Sequence, residues 1–316
     1  MTNLSFPSQR AGVAGLTIAG LVLTSCASTA PSVPPSAPSS SEVPTPVADT
    51  APGFTELEER FDARVGIHAV DTGTGREVTW RDDETFAYAS TIKAMAAAVM
   101  LDKVGLDGLS ETVQIEAGDM VPYSPVTETR IGGTMTLDEI AEAALTLSDN
   151  AAANYLVEVV GGPAALDQAL TDIGDDITVV SRIEPDLNEA TPGDDRDTTT
   201  PRAFATNLNQ YLLGDALESA EKAQLETWMT ATQTGDTLVR SDLREDWVVG
   251  DKSGSGGYGT RNDLAIVRPP GREPLIISVM SSRKDRDAQS DDRLIAEAAA
   301  LAIDALDEKL IGRRNE

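Results

Sequence analysis

A serine three residues before a lysine is the pattern in this sequence that could perform nucleophilic chemistry. The spacing occurs three times, at Ser90–Lys93, Ser219–Lys222 and Ser281–Lys284. On a helix, residues three apart share a face, so the lysine amine could take the serine proton while the hydroxyl attacks a carbonyl carbon. The spacing alone does not identify a nucleophile, because a serine in front of a helix is also a common N-cap.

The residues that follow Ser90 distinguish it from the other two serines. Residues 91–101 are apolar nearly all round and predict a buried helix, in which Lys93 is the only charge. A buried lysine must be paired or lose its proton, and the N–H groups at a helix start could stabilise an oxyanion. Ser219 is predicted instead as a helix N-cap, and Ser281 leads into a charged turn. The alternative for Ser90 is an N-cap serine beside a lysine that reaches solvent.

The sequence offers few other groups for hydrolysis. His68 is the only histidine and lies in the alternating segment 64–70, which predicts a strand, so a Ser-His-Asp triad is disfavoured. One histidine and one cysteine, Cys26, cannot supply the usual zinc ligands or an internal disulfide. Residues 254–259 match G-x-G-x-x-G, but a strand pattern follows where a dinucleotide site needs a helix. We therefore expect a lysine, aspartate or glutamate base and no cofactor or metal.

Three further polar motifs carry groups that such chemistry needs. They are Ser148-Asp149-Asn150, Lys252-Ser253-Gly254, and a polar stretch that runs from Arg182 to Pro201. Taken one at a time, the first is a helix N-cap, the second a turn, and the third a long loop of a kind that is usually functional or disordered.

The elements that must position these residues are strands at both ends of the body and helices between them. Strands are predicted at 64–70, 77–80, 247–249, 263–268 and 275–280, and amphipathic helices at 55–63 and 292–306. Residues 89–229 are mostly helical in pattern. This order predicts one sheet built from both ends of the body around a helical insert, with the active site at the seam between them.

The N-terminus predicts export. Arg10 is the only charged residue among the first 25, and the apolar run 11–23 that follows it is too short to span a bilayer, which is typical of a signal peptide over residues 1–25. The run ends in Leu-Thr-Ser-Cys26, which resembles the lipobox of bacterial lipoproteins. We expect a lipid on Cys26 to hold the protein at the outer face of the bacterial cytoplasmic membrane, or the protein to be released from it; a plain signal peptide with an incidental cysteine is the alternative.

The composition of the chain indicates a tether before the folded body and limits the kinds of ligand that the protein can bind. Residues 26–52 are rich in Pro, Ser and Ala and predict an extended tether in front of the folded body. The net charge of −27 argues against nucleic-acid binding and is typical of a solvated surface, such as one tuned to high salt. An anionic substrate would meet repulsion from this charge, so its site must contain local cations.

Taken together, the motifs resemble those of the class A serine β-lactamases, which belong to the penicillin-recognising serine acyl-enzyme superfamily. The resemblance extends from about residue 53 to 310. It includes the segment 121–127, whose Tyr123 matches the family's cleft-entrance aromatic, and residues 181–201, which match its omega loop. It implies an α/β (α+β) fold with an antiparallel sheet of about five strands. The α/β domain would comprise 53–88 and 230–316, and the helical domain 89–229.

The family's mechanism assigns roles to matching residues. Ser90 is the nucleophile, and its proton passes to Lys93 or, through a water, to Glu184. The backbone N–H groups of Ser90 and Ser255 form the oxyanion hole. Ser148, next to Lys252, returns a proton to the lactam nitrogen. Glu184 then activates the water that hydrolyses the acyl-enzyme.

The resemblance also implies how substrate and loop are held. Arg182 and Asp197 form the ion pair that closes the omega loop. Residues expected to contact the substrate or the hydrolytic water are Tyr123, Asn150, Asn188, Ser253, Gly254, Ser255 and Arg261. Among these, Ser253 and Arg261 are expected, together with Lys252, to hold the substrate carboxylate. Penicillins and some cephalosporins are the expected substrates of a monomeric resistance enzyme. Carbapenems are less expected, because Ala89 and Gly256 stand where many carbapenem-hydrolysing members carry a disulfide.

Three other protein classes share part of the pattern. A penicillin-binding transpeptidase or carboxypeptidase and a β-lactam receptor that stays acylated both lack a deacylating base, whereas Glu184 and Asn188 match the family's base and its partner. A lipid-anchored binding domain without activity would be expected to have lost at least one of its catalytic side chains. Ser90, Lys93, Ser148 and Lys252 are all present.

Overall fold

The computed structural model describes residues 49–306. The predicted signal peptide, Cys26 and nearly all of the predicted tether lie outside the described residues. The tether prediction extends two residues too far, because the first helix begins at Ala51 with Pro52 in its first turn. A proline is well tolerated there, since the first N–H groups of a helix have no intrahelical acceptor.

Nine strands and eight α-helices form the described part of the chain. The strands are β1 (Arg64–Asp71), β2 (Arg76–Trp80), β3 (Phe86–Ala87), β4 (Thr112–Gln114), β5 (Thr134–Thr136), β6 (Thr198–Thr199), β7 (Val248–Ser255), β8 (Arg261–Arg268) and β9 (Leu275–Ser282). The helices are α1 (Ala51–Phe61), α2 (Ile92–Gly108), α3 (Leu137–Thr146), α4 (Asn150–Val160), α5 (Pro163–Asp172), α6 (Pro201–Leu212), α7 (Ser219–Thr230) and α8 (Asp292–Leu306). Between residues 49 and 306, no helix has the length and apolar composition needed to cross a bilayer.

The main sheet confirms the predicted fold class. Its five strands run in the order β2-β1-β9-β8-β7, and every neighbouring pair is antiparallel. Two strands therefore come from the start of the body and three from its end, as the sequence pattern predicts. The division into domains at 88/89 and 229/230 stays a prediction.

Two predicted local structures are wrong. Residues 252–254 lie within β7, which pairs with β8 from Val248 to Ser255, so they form a strand and not a turn. Their polar composition hid the strand, because an alternation of apolar residues was the signal used. In α7 the N-cap is Glu218, which forms a capping box with Glu221, and Ser219 is the first helical residue.

Alternate strand residues fill two apolar layers, one on each face of the sheet. On one face Val65, Ile67 and Val279 pack in a cluster with the buried residues of α1 and α8. On the other face, residues of β8 and β9 such as Leu264 and Met280 pack with the central helices. Helix α2 lies in that second cluster and is buried from residue 92 to residue 101. The chemistry-bearing residues at its start are therefore held by a rigid element.

The acidic composition predicts that salt stabilises the fold. With a net charge of −27, the folded state carries self-repulsion that screening relieves. Raising KCl from 0.1 M to 1 M shortens the Debye length from about 10 Å to about 3 Å, and we expect the thermal unfolding midpoint to rise by about 5 °C. Differential scanning calorimetry checks this. A midpoint that is the same in 0.1 M and in 1 M KCl would contradict it.

Candidate active site

Ser90 lies in a single 3-10 turn, Ala89–Thr91, that leads directly into α2. Ala89 has φ +49°, in the left-handed region that non-glycine residues rarely adopt. The Thr91 hydroxyl donates to the Tyr88 carbonyl oxygen at 2.6 Å and tightens this turn. The Ser90 side chain is thereby fixed, largely buried, at the floor of a cavity.

Lys93, one turn further along, is surrounded by oxygen acceptors. Its Nζ is 3.0 Å from Glu184 Oε1 and 2.6 Å from Asn150 Oδ1. It also donates to the Ser148 carbonyl oxygen at 2.8 Å. Burial lowers the pKa of Lys93, and the Glu184 charge opposes this shift. The sequence predicts that a buried Lys93 is either paired or neutral. Lys93 is only 1% exposed, and it is paired.

Glu184 connects the nucleophile to the loop of residues 181–201. The Ser90 hydroxyl donates to Glu184 Oε1 at 3.0 Å, so the carboxylate contacts both Ser90 and Lys93. Asn188 Nδ2 donates to the other carboxylate oxygen. Asn188 Oδ1 is buried and has no hydrogen-bond partner within the described residues, so it can accept a bond from a water or a ligand.

Asn154 is a positioning residue that the sequence reasoning missed. From the middle of α4, its amide donates to the Glu184 carbonyl oxygen and accepts from the Glu184 N–H, both at 2.9 Å. These two hydrogen bonds fix the backbone that carries the Glu184 carboxylate. The available signal was an asparagine inside an alanine-rich helix, where it is a poor helix former.

An ion pair closes loop 181–201 beside Ser90. Arg182 Nε pairs with Asp197, as predicted, and Asp197 also accepts from the Ser181 N–H at 3.0 Å and the Arg182 N–H at 2.9 Å. Tyr88, two residues before the nucleophile, donates its hydroxyl to Asp197 at 3.0 Å. The carboxylate is fully buried. One aspartate therefore joins the two ends of the loop to the turn that holds Ser90.

Ser148 and Lys252 meet on the other side of the site. Lys252 Nζ donates to Ser148 Oγ at 3.0 Å, and Lys93 Nζ lies 3.3 Å from the same oxygen. Ser148 has φ +58°, a conformation that costs energy and persists only where surrounding contacts enforce it. The next residue, Asp149, caps α4 through the Ala152 N–H. The Ser148 hydroxyl thus lies between two lysines that come from distant elements.

A cavity of about 440 Å³ opens above these groups. Its lining comprises Ser90, Tyr123, Ser148, Asn150, Asn188, Thr234, Ser253, Gly254, Ser255 and Arg261. Of these, only Thr234 was not predicted, and its hydroxyl accepts from Ser253 Oγ at 2.8 Å. A larger cavity of about 970 Å³ is lined in part by residues 190–196 and 198, and none of the predicted site residues lines it. The smaller cavity is therefore the candidate active site.

Close backbone packing forms the floor of this cavity. A Cβ on Gly254 would lie 3.2 Å from the Ser90 nitrogen and 3.0 Å from the Tyr88 carbonyl oxygen. A side chain at this position would crowd the backbone of the nucleophile turn, so glycine favours the close approach of β7. Ser90 and Ser255 both line the cavity.

The cations expected for an anionic substrate are present but already partnered. Arg261 pairs with Asp292, with Nε 2.7 Å from Oδ1, and donates to Ser255 Oγ at 2.9 Å. Asn150, expected to contact the substrate, uses both ends of its amide: Oδ1 accepts from Lys93 and Nδ2 donates to the Pro122 carbonyl oxygen.

Lys252 provides a pH-dependent charge at this site. Burial, and then repulsion by Lys93, lowers the pKa of Lys252 to about 7. Its ammonium is therefore present below pH 7 and lost as the pH rises through that value. Since kcat/KM reports the free enzyme, we expect kcat/KM for a penicillin to fall above about pH 7.

The methyl ester of the same penicillin is the matched control for this pH dependence. It lacks the carboxylate that the Lys252 ammonium would attract, so the ratio of kcat/KM for acid and ester should fall with rising pH. A ratio that stays constant from pH 6 to pH 9 contradicts the prediction.

Comparison with known proteins agrees with this geometry. The model of the Beta-lactamase enzyme family matches residues 51–306. A beta-lactamase of Amycolatopsis lactamdurans is 48% identical over 253 residues, which is 80% of this chain and 84% of that protein. Beta-lactamase AST-1 of Nocardia asteroides is 42% identical, covering 97% of this chain and all of the relative.

Solved structures give the same result. A halotolerant bacterial beta-lactamase matches with a TM-score of 0.79 and 45% identity, over 80% of this chain and 98% of that one. A class A beta-lactamase from Clostridium kluyveri matches with a TM-score of 0.80 and 42% identity, over 81% of this chain and 97% of that one. The chain therefore belongs to the β-lactamase enzyme family and is a class A member of it.

Proposed function

We propose that this class A β-lactamase hydrolyses its substrate through an acyl-enzyme on Ser90. The observation that carries the proposal is that Ser90 Oγ donates to Glu184 Oε1 at 3.0 Å while Lys93 Nζ lies 3.0 Å from the same oxygen. As the serine oxygen attacks the lactam carbonyl carbon, its proton moves to the Glu184 carboxylate. The Lys93 ammonium stabilises the charge that this transfer redistributes.

The tetrahedral intermediate then collapses by cleavage of the C–N bond. The backbone N–H groups of Ser90 and Ser255 donate to the oxyanion, each contributing about 3 kcal/mol on the usual mutational scale. The lactam nitrogen takes a proton from the Ser148 hydroxyl. Lys252 replaces that proton, since its Nζ donates to Ser148 Oγ at 3.0 Å.

Glu184 and Asn188 act in the second half of the reaction. After acylation the Glu184 proton passes through Lys93 and Ser148 to Lys252, along the contacts that join these side chains, and leaves the carboxylate ionised again. The carboxylate then takes a proton from a water that attacks the ester carbonyl carbon. As the bond from this carbon to Ser90 Oγ breaks, Glu184 returns that proton to the serine oxygen. The Asn188 Oδ1 atom, buried and without a partner among the described residues, accepts a hydrogen bond from that water. Residues 181–201, which we assign as the family's omega loop, hold both side chains against the nucleophile.

The acyl-enzyme assignment is tested on the unmutated protein. We expect many turnovers of a chromogenic cephalosporin, and a rapid-quench sample with benzylpenicillin should contain a protein of mass increased by one intact penicillin. Digestion should place that mass on the peptide that contains Ser90. Stoichiometric labelling without turnover would support the receptor alternative, and an adduct on another residue would exclude Ser90 as the nucleophile.

Penicillins and some cephalosporins are the proposed substrates, and the activity would confer resistance to them. Carbapenem hydrolysis is not proposed, because Ala89 and Gly256 replace the disulfide that many carbapenem-hydrolysing members carry. Turnover numbers for one antibiotic of each class test this spectrum. Carbapenem turnover as fast as penicillin turnover would contradict it.

We also propose that the enzyme is a monomer, held by a lipid on Cys26 at the outer face of the cytoplasmic membrane or released from it. The Leu-Thr-Ser-Cys26 sequence and the Pro/Ser/Ala-rich residues after it support this. Metabolic labelling with a fatty acid should mark the full chain and not its Cys26→Ser variant. A mature N-terminus downstream of Cys26 would exclude the anchor, and light scattering tests the monomer.

A further inference from the structure

Two fully buried carboxylates, Asp251 and Asp263, lie on the adjacent strands β7 and β8. In the register of this pair Asp251 is opposite Ala265 and Ser253 is opposite Asp263. The two aspartates are therefore diagonal neighbours on one face of the ladder. Their exposed fractions are 0% and 1%. We call them the acid pair.

Each member of the acid pair has one oxygen with a donor and one without. Asp251 Oδ1 accepts from Arg240 Nε at 2.7 Å, and Asp263 Oδ2 accepts from the Val239 N–H at 3.1 Å. Asp251 Oδ2 and Asp263 Oδ1 are buried with no hydrogen-bond partner within the described residues. Buried polar atoms are rarely left in that state. A proton on one carboxyl group would supply the donor that both oxygens lack.

The charges around the acid pair favour a single proton. Arg240 is the cation that bonds to Asp251, and the peptide N–H of Val239 is the donor that bonds to Asp263. Burial raises the pKa of Asp251, against the opposing charge of Arg240. Burial, and then the charge of Asp251, raises the pKa of Asp263 well above its usual range. The proton therefore belongs on Asp263.

The other charged groups that face the acid pair come from the neighbouring elements. They are Lys252 on β7, Asp236 before Arg240, Arg261 on β8, and Asp292 on α8, which pairs with Arg261. The β9 residue opposite Asp263 is the apolar Val279. A second ionised carboxylate here would add a negative charge close to the cations expected to attract the substrate carboxylate.

Tight packing ties the acid pair to Lys252. A Cβ on Gly235 would lie 2.0 Å from Asp251 Oδ2, so this oxygen is pressed against the backbone of the segment that also carries Val239 and Arg240. Asp251 immediately precedes Lys252, whose Nζ reaches Ser148. A movement of the Asp251 side chain would therefore shift β7 at the lysine.

We propose that Asp263 is a neutral carboxylic acid that donates its proton to Asp251 Oδ2, and that this acid pair positions Lys252 for the substrate carboxylate. The second part rests on the attraction between the Lys252 ammonium and the substrate carboxylate, which the comparison of the penicillin with its methyl ester tests. Asp263 is thus a positioning residue, separated from the substrate by the strand. Asparagine at position 263 can donate a similar hydrogen bond but cannot ionise, whereas alanine leaves Asp251 Oδ2 without a donor.

Infrared spectroscopy tests the proton directly and without substrate. At pH 7 the difference spectrum between the unmutated enzyme and Asp263→Asn should contain the C=O stretch of one protonated carboxyl group, which shifts on exchange into D₂O. No such band in the difference spectrum overturns the proposal. Lys252→Ala should keep the band, so a wrong role for Lys252 is distinguishable from a wrong assignment of the proton.

Kinetics test the positioning. Asp263→Asn should keep KM and kcat for benzylpenicillin within about twofold, whereas Asp263→Ala should raise KM about tenfold with a smaller change in kcat. The penicillin methyl ester, which lacks the carboxylate, should show less of this KM increase. The positioning role is overturned if Asp263→Asn and Asp263→Ala have equal kinetic constants, whether both are normal or both are impaired. Should Asp263→Ala fail to fold, Asp263→Asn and its infrared spectrum still decide.

Discussion

Ser90→Ala is expected to abolish turnover of a chromogenic cephalosporin, with kcat reduced by roughly 10⁴-fold or more. Without the hydroxyl no ester can form, and the neighbouring groups have no nucleophile to activate. Lys93 and Glu184 form an ion pair of their own at 3.0 Å, so we expect the variant to fold. Steady-state kinetics and the mass of the protein after incubation with benzylpenicillin measure the effect; no adduct should be found.

The sequence supplies its own control for this substitution. Ser219 has the same Ser-x-x-Lys spacing but is the exposed first residue of α7. Ser219→Ala should therefore leave kcat and KM unchanged. Retention of more than a hundredth of the turnover by Ser90→Ala would mean that another group attacks the lactam.

Glu184→Ala is expected to separate the two halves of the reaction. Its carboxylate is the base that we assign to the deacylating water, so the ester on Ser90 should form and then persist. We expect turnover to fall by roughly 10³-fold, with an intact-mass adduct that remains for minutes to hours. Acylation will also slow, because the Ser90 hydroxyl donates to this carboxylate, but Lys93 stays beside the nucleophile.

The control for Glu184→Ala comes from the same loop. Asp186 is an exposed carboxylate two residues further on, and Asp186→Ala should turn over normally without accumulating an adduct. Loss of activity in Glu184→Ala with no adduct at any time would contradict this prediction, because it would show that Ser90 cannot be acylated without the carboxylate.

Most of the site could be predicted because its motifs are local. The relation of Ser90 to Lys93 follows from helix periodicity, and α8 begins at the predicted residue 292. The long strand β7 was missed beyond Val249 because its polar residues face a site and a buried acid pair. The predicted strands beside it could not reveal this missing part of β7, since a strand is recognised from the alternation of apolar residues in its own sequence.

Residues without a motif could not be found from the sequence. Thr234 lies between the predicted helical section and the next predicted strand, and Asn154 lies in a helical segment. Each hydrogen-bonds to a residue far along the chain. Asn154 bonds Glu184, 30 positions away, and Thr234 bonds Ser253, 19 positions away. Such contacts depend on how elements pack, which a single sequence does not specify.

The sequence by itself determined the reactive set: a serine with a lysine one helical turn away, a later glutamate, and no usable histidine. It also determined the order of strands and helices, because periodicity and capping act within a few residues. The tertiary structure decided which atoms meet. Ser90 reaches Glu184 across 94 positions, Lys252 reaches Ser148 across 104, and two buried aspartates come to share one environment. These contacts arise only when the strand register and the helix packing are fixed, because burial and long-range electrostatics depend on the whole fold.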